Sequence, residues 1–300
     1  MEIPRHCTLC PRACGADRRH ARGFCGGGAQ VRLARAALHF GEEPCISGTH
    51  GSGTVFFSGC SLRCCFCQNF PISAQNQGTD ISIERLGDIF LELQAQGAHN
   101  INLVNPTHYV PWIVHALRRV RPQLRIPVIY NTGGYDRLDT LASLAGLVDV
   151  YLPDLKYIDA VRAARYSRAA DYPAVAKQAI AAMVAQAGPF TLDKQGMLVR
   201  GVLIRHLILP GGRRDAMEAV RWIRDTFAPG TVQMSLMRQY TPMYKSADYP
   251  EIHRTLTTFE YESVLHMAVQ SGITGYRQGR SSATSEQTPA FDGTGVLRKD

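Results

Sequence analysis

Long apolar runs are missing from this sequence. Its 300 residues hold no stretch of about 18 apolar side chains, so a membrane-spanning helix is not expected. The opening segment Met1-Glu2-Ile3-Pro4-Arg5-His6-Cys7 has no apolar core of the secretory kind, which argues for a cytoplasmic protein. Acidic residues are also in short supply: 25 stand against 33 lysines and arginines, for a formal net charge of +8. The deficit is sharpest over residues 1–35, where Arg5, Arg12, Arg18, Arg19, Arg22, Arg32 and Arg35 face only Glu2 and Asp17. Such a stretch could attract nucleic acid. It lacks the interleaved aromatics of a base-stacking platform, so a solvated basic face beside an anionic metal site is expected instead.

Cysteine is what the chain does have. Nine cysteines in close-set groups point to metal ligation in a reducing compartment rather than to a disulfide framework. The segment Cys60-Ser61-Leu62-Arg63-Cys64-Cys65-Phe66-Cys67 follows the apolar run Thr54-Val55-Phe56-Phe57. Three thiolates from one short loop can cap three irons of a four-iron cluster and leave the fourth open to an exogenous molecule. An open metal position marks a reacting site. The rival reading is zinc held by the loop thiols and a fourth ligand from elsewhere. Cys65 is off the spacing and reads as a non-ligand thiol.

A second group, Cys7, Cys10, Cys14 and Cys25, lies among Pro11, Gly15, Gly23 and the run Gly26-Gly27-Gly28. Too little apolar material lies there to fold alone, so a metal is the expected organiser. Four thiolates suit either tetrahedral zinc or a fully ligated iron–sulfur cluster, and the sequence does not separate them. Cys45 could replace one of the four.

From about residue 54, short apolar strands alternate with amphipathic helices. Strands are expected at 54–58, 100–104, 127–131, 149–152, 199–209 and 231–238. Helical stripes run through Leu86, Ile89, Phe90 and Leu93; Trp112, Ile113, Ala116, Leu117 and Val120; and Val175, Ala179, Ile180, Met183 and Val184. Two more run through Met217, Val220, Ile223 and Phe227, and through Tyr261, Val264, Leu265 and Ala268. The last opens with a Thr257–Glu260 capping box. This alternation predicts an α/β fold on a parallel sheet with right-handed crossovers. Three units are expected: a cysteine-rich module over 1–49, a core over 50–278, and a tail over 279–300 that is flexible or draped on the surface.

The loop Cys60-x3-Cys64-x2-Cys67, with aromatic Phe66 before its last cysteine, resembles the signature of radical S-adenosylmethionine enzymes. The resemblance implies a [4Fe-4S] cluster whose open iron chelates S-adenosylmethionine, and one-electron cleavage of that cofactor to methionine and a 5′-deoxyadenosyl radical. It also implies a partial (β/α)6 barrel resembling an open TIM barrel, with the adenine near Phe66. Cofactor contacts would then come from strand ends: Asn105, Asn131 and Thr132 beside Gly133-Gly134, Asp154 and Lys156, one of Arg205 and His206, and Gln239 and Tyr240 at the substrate opening. The branch that these residues resemble is that of uncharacterised relatives of pyruvate formate-lyase activating enzyme, whose Asp-x-Lys segment matches Asp154-Leu155-Lys156. The usual basic residue eight positions before the first cluster cysteine is Ser52 here, and the Gly-Gly-Glu motif common after the second strand is absent. The expected activity is hydrogen abstraction from a protein or peptide, of which glycyl-radical-enzyme activation is one form, with flavodoxin or ferredoxin as electron donor. Radical chemistry on a small molecule and a non-catalytic electron carrier are the alternatives.

Overall fold

The computed structural model describes residues 2–279 and 288–298. The strands are β1 (Val31–His39), β2 (Ser52–Phe57), β3 (Thr79–Ile81), β4 (Ile101–Val104), β5 (Val128–Thr132), β6 (Val150–Pro153), β7 (Thr191–Leu192), β8 (Leu198–Leu207), β9 (Val232–Met237) and β10 (Gly275–Arg277). The helices are α1 (Pro44–Ser47), α2 (Phe70–Ser73), α3 (Ile83–Ala95), α4 (Val110–Val120), α5 (Leu138–Ala142), α6 (Ala160–Ser167), α7 (Tyr172–Ala187), α8 (Arg213–Thr226) and α9 (Thr258–Gln270).

The helices form where their residues dictate. Ser82 caps α3 by accepting the Arg85 N–H, and the apolar stripe of that helix is wholly buried. Pro111 sits in the first turn of α4, where its missing N–H costs nothing. Thr257 and Glu260 form the expected reciprocal box at the start of α9.

Strands β2, β4, β5, β6, β8 and β9 pair in parallel and in chain order, with β10 parallel beyond β9. Sheet neighbours that are also chain neighbours place every right-handed crossover on one face, so the sheet curls around the other. This is the expected partial barrel. Among the described residues its two edges, β10 and β3, do not pair with each other, so the barrel stays open.

Side-chain alternation divides the strands cleanly. Leu103, Tyr130, Tyr151, Ile204 and Leu236 point outward into the large core beneath the helices. Ile129, Val150, Leu152 and Leu203 point inward, where Cys45 and Ile46 of α1 plug the amino end. The carboxyl end of the interior is left to polar residues.

Two expectations need correction. β1, β3, β7 and β10 are not among the expected strands; in β1 a register shift between Leu33 and Arg35 breaks the alternation, and Arg32 and Arg35 pair with Asp80 (3.0 Å) and Asp292 (2.9 Å). The second correction concerns the tail. Residues 288–298 are not a flexible end: the Ala36 N–H donates to Thr294 (2.8 Å), the Gly293 N–H donates to Ala34 (3.0 Å), and Val296 is fully buried. The rest of the expected tail, beyond Gly279, lies outside the described residues. Ending the chain at residue 287 should cost about 2 kcal/mol from Val296 alone, lowering Tm by roughly 5 °C in a thermal melt.

Candidate metal and cofactor site

The cysteine loop leaves the carboxyl end of β2. Gly59 has φ +88°, and any side chain there would collide with the Cys25 carbonyl oxygen. That close approach lets the Cys60 N–H donate to the same carbonyl at 3.0 Å, joining the N-terminal module to the loop. Further along, the Cys65 N–H donates to Tyr166 (2.8 Å), and the Lys245 N–H donates to the Cys65 carbonyl (2.8 Å).

Cys60, Cys64 and Cys67 all line one cavity of about 260 Å³, which Cys65 also borders. Each of the three sulfurs is aimed by a neighbour. The Leu62 N–H reaches Cys60 Sγ (3.4 Å), the Ser167 hydroxyl donates to Cys64 Sγ (3.0 Å), and Ser73 Oγ lies 3.1 Å from Cys67 Sγ. Burial and the neighbouring thiols push Cys60 up to about 12 and Cys67 up to about 11. Three thiols gathered in one cavity ionise together only when a cation supplies the compensating charge, so the donor set fits a metal cluster. Among the described residues, no group of three or more His, Cys, Asp or Glu side chains converges as ligands of a single ion. Thiolates of a cubane cap separate irons and need not converge in that way.

Cys64 and Cys67 also border a second cavity of about 220 Å³ at the strand ends, beside Phe66, Asn131, Asp154, Lys156 and Arg205. Its charges form one network. Arg205 Nε donates to Asp154 (3.0 Å), Nη1 to Glu42 (3.2 Å) and Nη2 to Asn131 (2.6 Å), while Lys156 Nζ donates to Asp154 at 2.6 Å. Burial opposes every charge here. At Asp154 the pull of Lys156 and Arg205 wins, holding its carboxyl below the usual range. Lys156 and Arg205 are held above their ordinary values against burial, chiefly by Asp154.

At Glu42 burial wins over Arg205 and pushes the carboxyl up to about 7. The folded protein then keeps a proton that the unfolded chain releases at a lower pH. Glu42 therefore contributes stability at acid pH that is lost as pH rises toward 7. Replacing Glu42 with glutamine should remove this decline, as read from Tm across about pH 5 to 8.

The structure sorts the sequence-derived candidates by alternation. Phe66, Asn131, Asp154, Lys156, Arg205 and Gln239 come together at the second cavity. Thr132 and His206, one step along their strands, point the other way. The Thr132 hydroxyl donates to buried Asp136 (2.6 Å), and His206 Nδ1 lies 2.5 Å from the Leu155 carbonyl. Asn105, at φ +60°, turns its amide N–H to the Gly59 carbonyl and braces the loop instead of facing the cavity. The Gly133-Gly134 turn serves strand packing: a side chain at Gly134 would strike the Asp154 backbone. Tyr240 is buried, with its ring 5.8 Å from that of Phe66 and its hydroxyl on the Ile252 carbonyl. Ser52 lies at the opposite end of β2 and donates to Asn100 (2.6 Å). Sequence reasoning missed Glu42, because it belongs to the N-terminal module and not to a strand end. The adjacent acids of Gly41-Glu42-Glu43-Pro44, in a chain short of acids, were the available signal.

In the N-terminal module Cys7, Cys10 and Cys25 are buried, Cys14 is exposed, and none is in a disulfide. A side chain at Gly23 would sit 3.4 Å from Cys14 Sγ and 3.5 Å from Cys25 Sγ, so the glycine keeps a space open between the sulfurs. The donor set is that of a metal group, although these sulfurs, like those of the loop, do not converge on a single ion. The basic stretch is only in part the solvated face expected: Arg5, Arg19 and Arg22 are exposed, and others are engaged. Arg12 donates to the carbonyls of Ser61 (2.9 Å), Arg168 (2.5 Å) and Ser167 (3.2 Å). Arg18 is 1 % exposed, donates to Gly28 (3.0 Å) and His108 (2.5 Å), and stacks on Trp112. These arginines fasten the module to the barrel. Among the described residues no helix is long and apolar enough to cross a membrane.

No family model matches the chain. An uncharacterised protein of Methanocaldococcus jannaschii is 28% identical over 281 residues, covering 89% of this chain and 75% of its own. A domain of pyruvate-formate lyase-activating enzyme from Bacteroides vulgatus superposes with TM-score 0.43 at 12% identity, over 57% of this chain and 92% of the other. SuiB of Streptococcus suis, solved with its precursor peptide SuiA, gives 0.49 at 13% over 73% of this chain and 46% of its own. The FeFe-hydrogenase maturase HydG of Carboxydothermus hydrogenoformans gives 0.49 at 13% over 72% and 50%. In the spacing of its loop cysteines, and in the place of that loop at the carboxyl end of the first parallel strand of an open barrel, the chain is similar to radical S-adenosylmethionine enzymes.

Proposed function

We propose that this protein is a radical S-adenosylmethionine enzyme, with a [4Fe-4S] cluster on Cys60, Cys64 and Cys67. The observation that carries this is the double exposure of Cys64 and Cys67, which border both the thiol-lined cavity and the cavity holding Lys156 and Arg205. When bound, the cluster supplies the electron that splits S-adenosylmethionine into methionine and a 5′-deoxyadenosyl radical. The chain's own residues bind and orient. Lys156 and Arg205 take the cofactor carboxylate, Asp154 keeps both cations charged and aimed, and Phe66 offers its ring to the adenine. The substrate that would give up hydrogen is a protein or peptide; the open side of the barrel supports that reading, since it leaves room for an extended chain. A cytoplasmic flavodoxin or ferredoxin supplies the electron.

EPR tests the proposal. The anaerobically reconstituted, dithionite-reduced protein should give a cluster signal whose shape changes on adding S-adenosylmethionine. A loaded cluster whose signal is indifferent to the cofactor would sink it.

Cys7, Cys10, Cys14 and Cys25 form a second, fully ligated site, for zinc or an auxiliary cluster, that organises the module. Replacing Cys10 with serine should lower zinc or iron by the complement of that site in elemental analysis, with the cofactor-responsive signal retained. Unchanged metal content in the variant would count against the second site.

A further inference from the structure

We propose that Arg18 is the buried counter-ion of the metal group on Cys7, Cys10, Cys14 and Cys25, a step that rests on the second-site reading. Arg18 is 1 % exposed, and a guanidinium keeps its charge inside a protein. A charge buried that deeply needs an opposite charge beside it. Among the described residues no carboxylate pairs with it: Asp17, its neighbour in the chain, accepts from Arg19 Nε at 2.9 Å instead.

The bonds that Arg18 makes go to neutral groups. Nε donates to the Gly28 carbonyl (3.0 Å) and Nη1 to that of His108 (2.5 Å). Its guanidinium carbon lies 4.5 Å from the Trp112 ring centre and 5.1 Å from that of Tyr109. Burial pushes the His108 ring down to about 3, so it carries no charge. Carbonyl dipoles and ring faces ease a buried cation without neutralising it.

Nη2 is the second observation. It is buried and has no hydrogen-bond partner. It fills the place that a side chain at Gly27 would take, so only glycine fits there. The Gly27 N–H in turn points at Cys25 Sγ (3.4 Å). The unpaired end of the guanidinium therefore lies against the residue that touches a ligand sulfur. Its charge is felt at that sulfur: burial pushes the Cys25 thiol up, and Arg18 is the foremost influence opposing it. Four neutral thiols would offer Arg18 no negative charge. Four thiolates outweigh the charge of a zinc ion or of an iron–sulfur core, so either metal group is an anion. Through Arg18 that anion is balanced by a side chain stacked on Trp112 of α4, inside the barrel's own packing.

The test reads metal retention. Wild type, R18M, R18K and C10S are loaded as full chains and challenged with excess EDTA, and the zinc and iron left on each are followed. The C10S trace gives the loop site's own loss. R18M should release the module's metal about tenfold faster or more, the size of one lost charge-assisted contact. R18K keeps the charge without the planar fork and should stay within about threefold of wild type. Stability gives a second readout that does not need R18M to keep its metal. In urea melts R18M should lower the midpoint of the intact module, and spare or raise that of C10S, where no anion is left to balance. Wild-type release from R18M overturns the assignment, as do equal losses in R18M and R18K or an equal midpoint shift in both backgrounds. If wild type holds no metal above the C10S baseline, the second-site reading itself fails and takes this assignment with it.

Discussion

Replacing Cys64 with alanine should leave a protein that takes up no cluster at the loop and forms no 5′-deoxyadenosine above a protein-free blank. Cys64 is the middle one of the three proposed ligands, borders both cavities, and has its sulfur aimed by the Ser167 hydroxyl. Two remaining thiols cannot hold three corners of a cubane. The informative control is Cys65→Ala, one residue on. Cys65 is held through its main chain, which alanine retains. That variant should keep its iron, sulfide and activity, at a cost of about 1 kcal/mol for the small void. Equal losses in the two variants would mean that the spacing does not define the ligand set.

The second large effect is on stability. Arg205→Leu should destabilise the fold by about 3–5 kcal/mol, because removing one partner of a buried charge network strands the others. A single guanidinium reaches Asp154, Glu42 and Asn131. A lysine cannot make those three contacts from one ammonium, so Arg205→Lys should recover only part of the loss. The penalty should shrink as pH falls below 7, since protonation neutralises the stranded carboxylates, Glu42 first. Denaturant melts at about pH 5 and 8 check both size and sign. A penalty independent of pH would mean that lost packing, not charge, is responsible.

The barrel was legible because its helical stripes and apolar strands carry their periods plainly: Leu86, Ile89, Phe90 and Leu93 are all buried on one face of α3. The polar site was only half legible. Strand ends are easy to find, but which of two neighbours faces inward depends on register. Register put Arg205 inside and His206 outside, and it did the same for Asn131 and Thr132. Long-range placement was invisible. Nothing near Glu42 in the chain shows that it will meet Arg205, 163 residues away. The docking of 288–298 was equally hidden, because the arginines that hold it lie far away in the chain: Arg85 reaches Gly295 across 210 residues and Arg35 reaches Ala290 across 255.

The central claim is that the loop cysteines hold a cluster that cleaves S-adenosylmethionine. Its most direct test is anaerobic: load the full chain with iron and sulfide, reduce it with dithionite, add S-adenosylmethionine, and measure 5′-deoxyadenosine. The account predicts its formation in wild type and Cys65→Ala, and none in Cys64→Ala. A fully loaded, reduced wild-type protein that forms none, and shows no cofactor-induced change in its EPR signal, would contradict it.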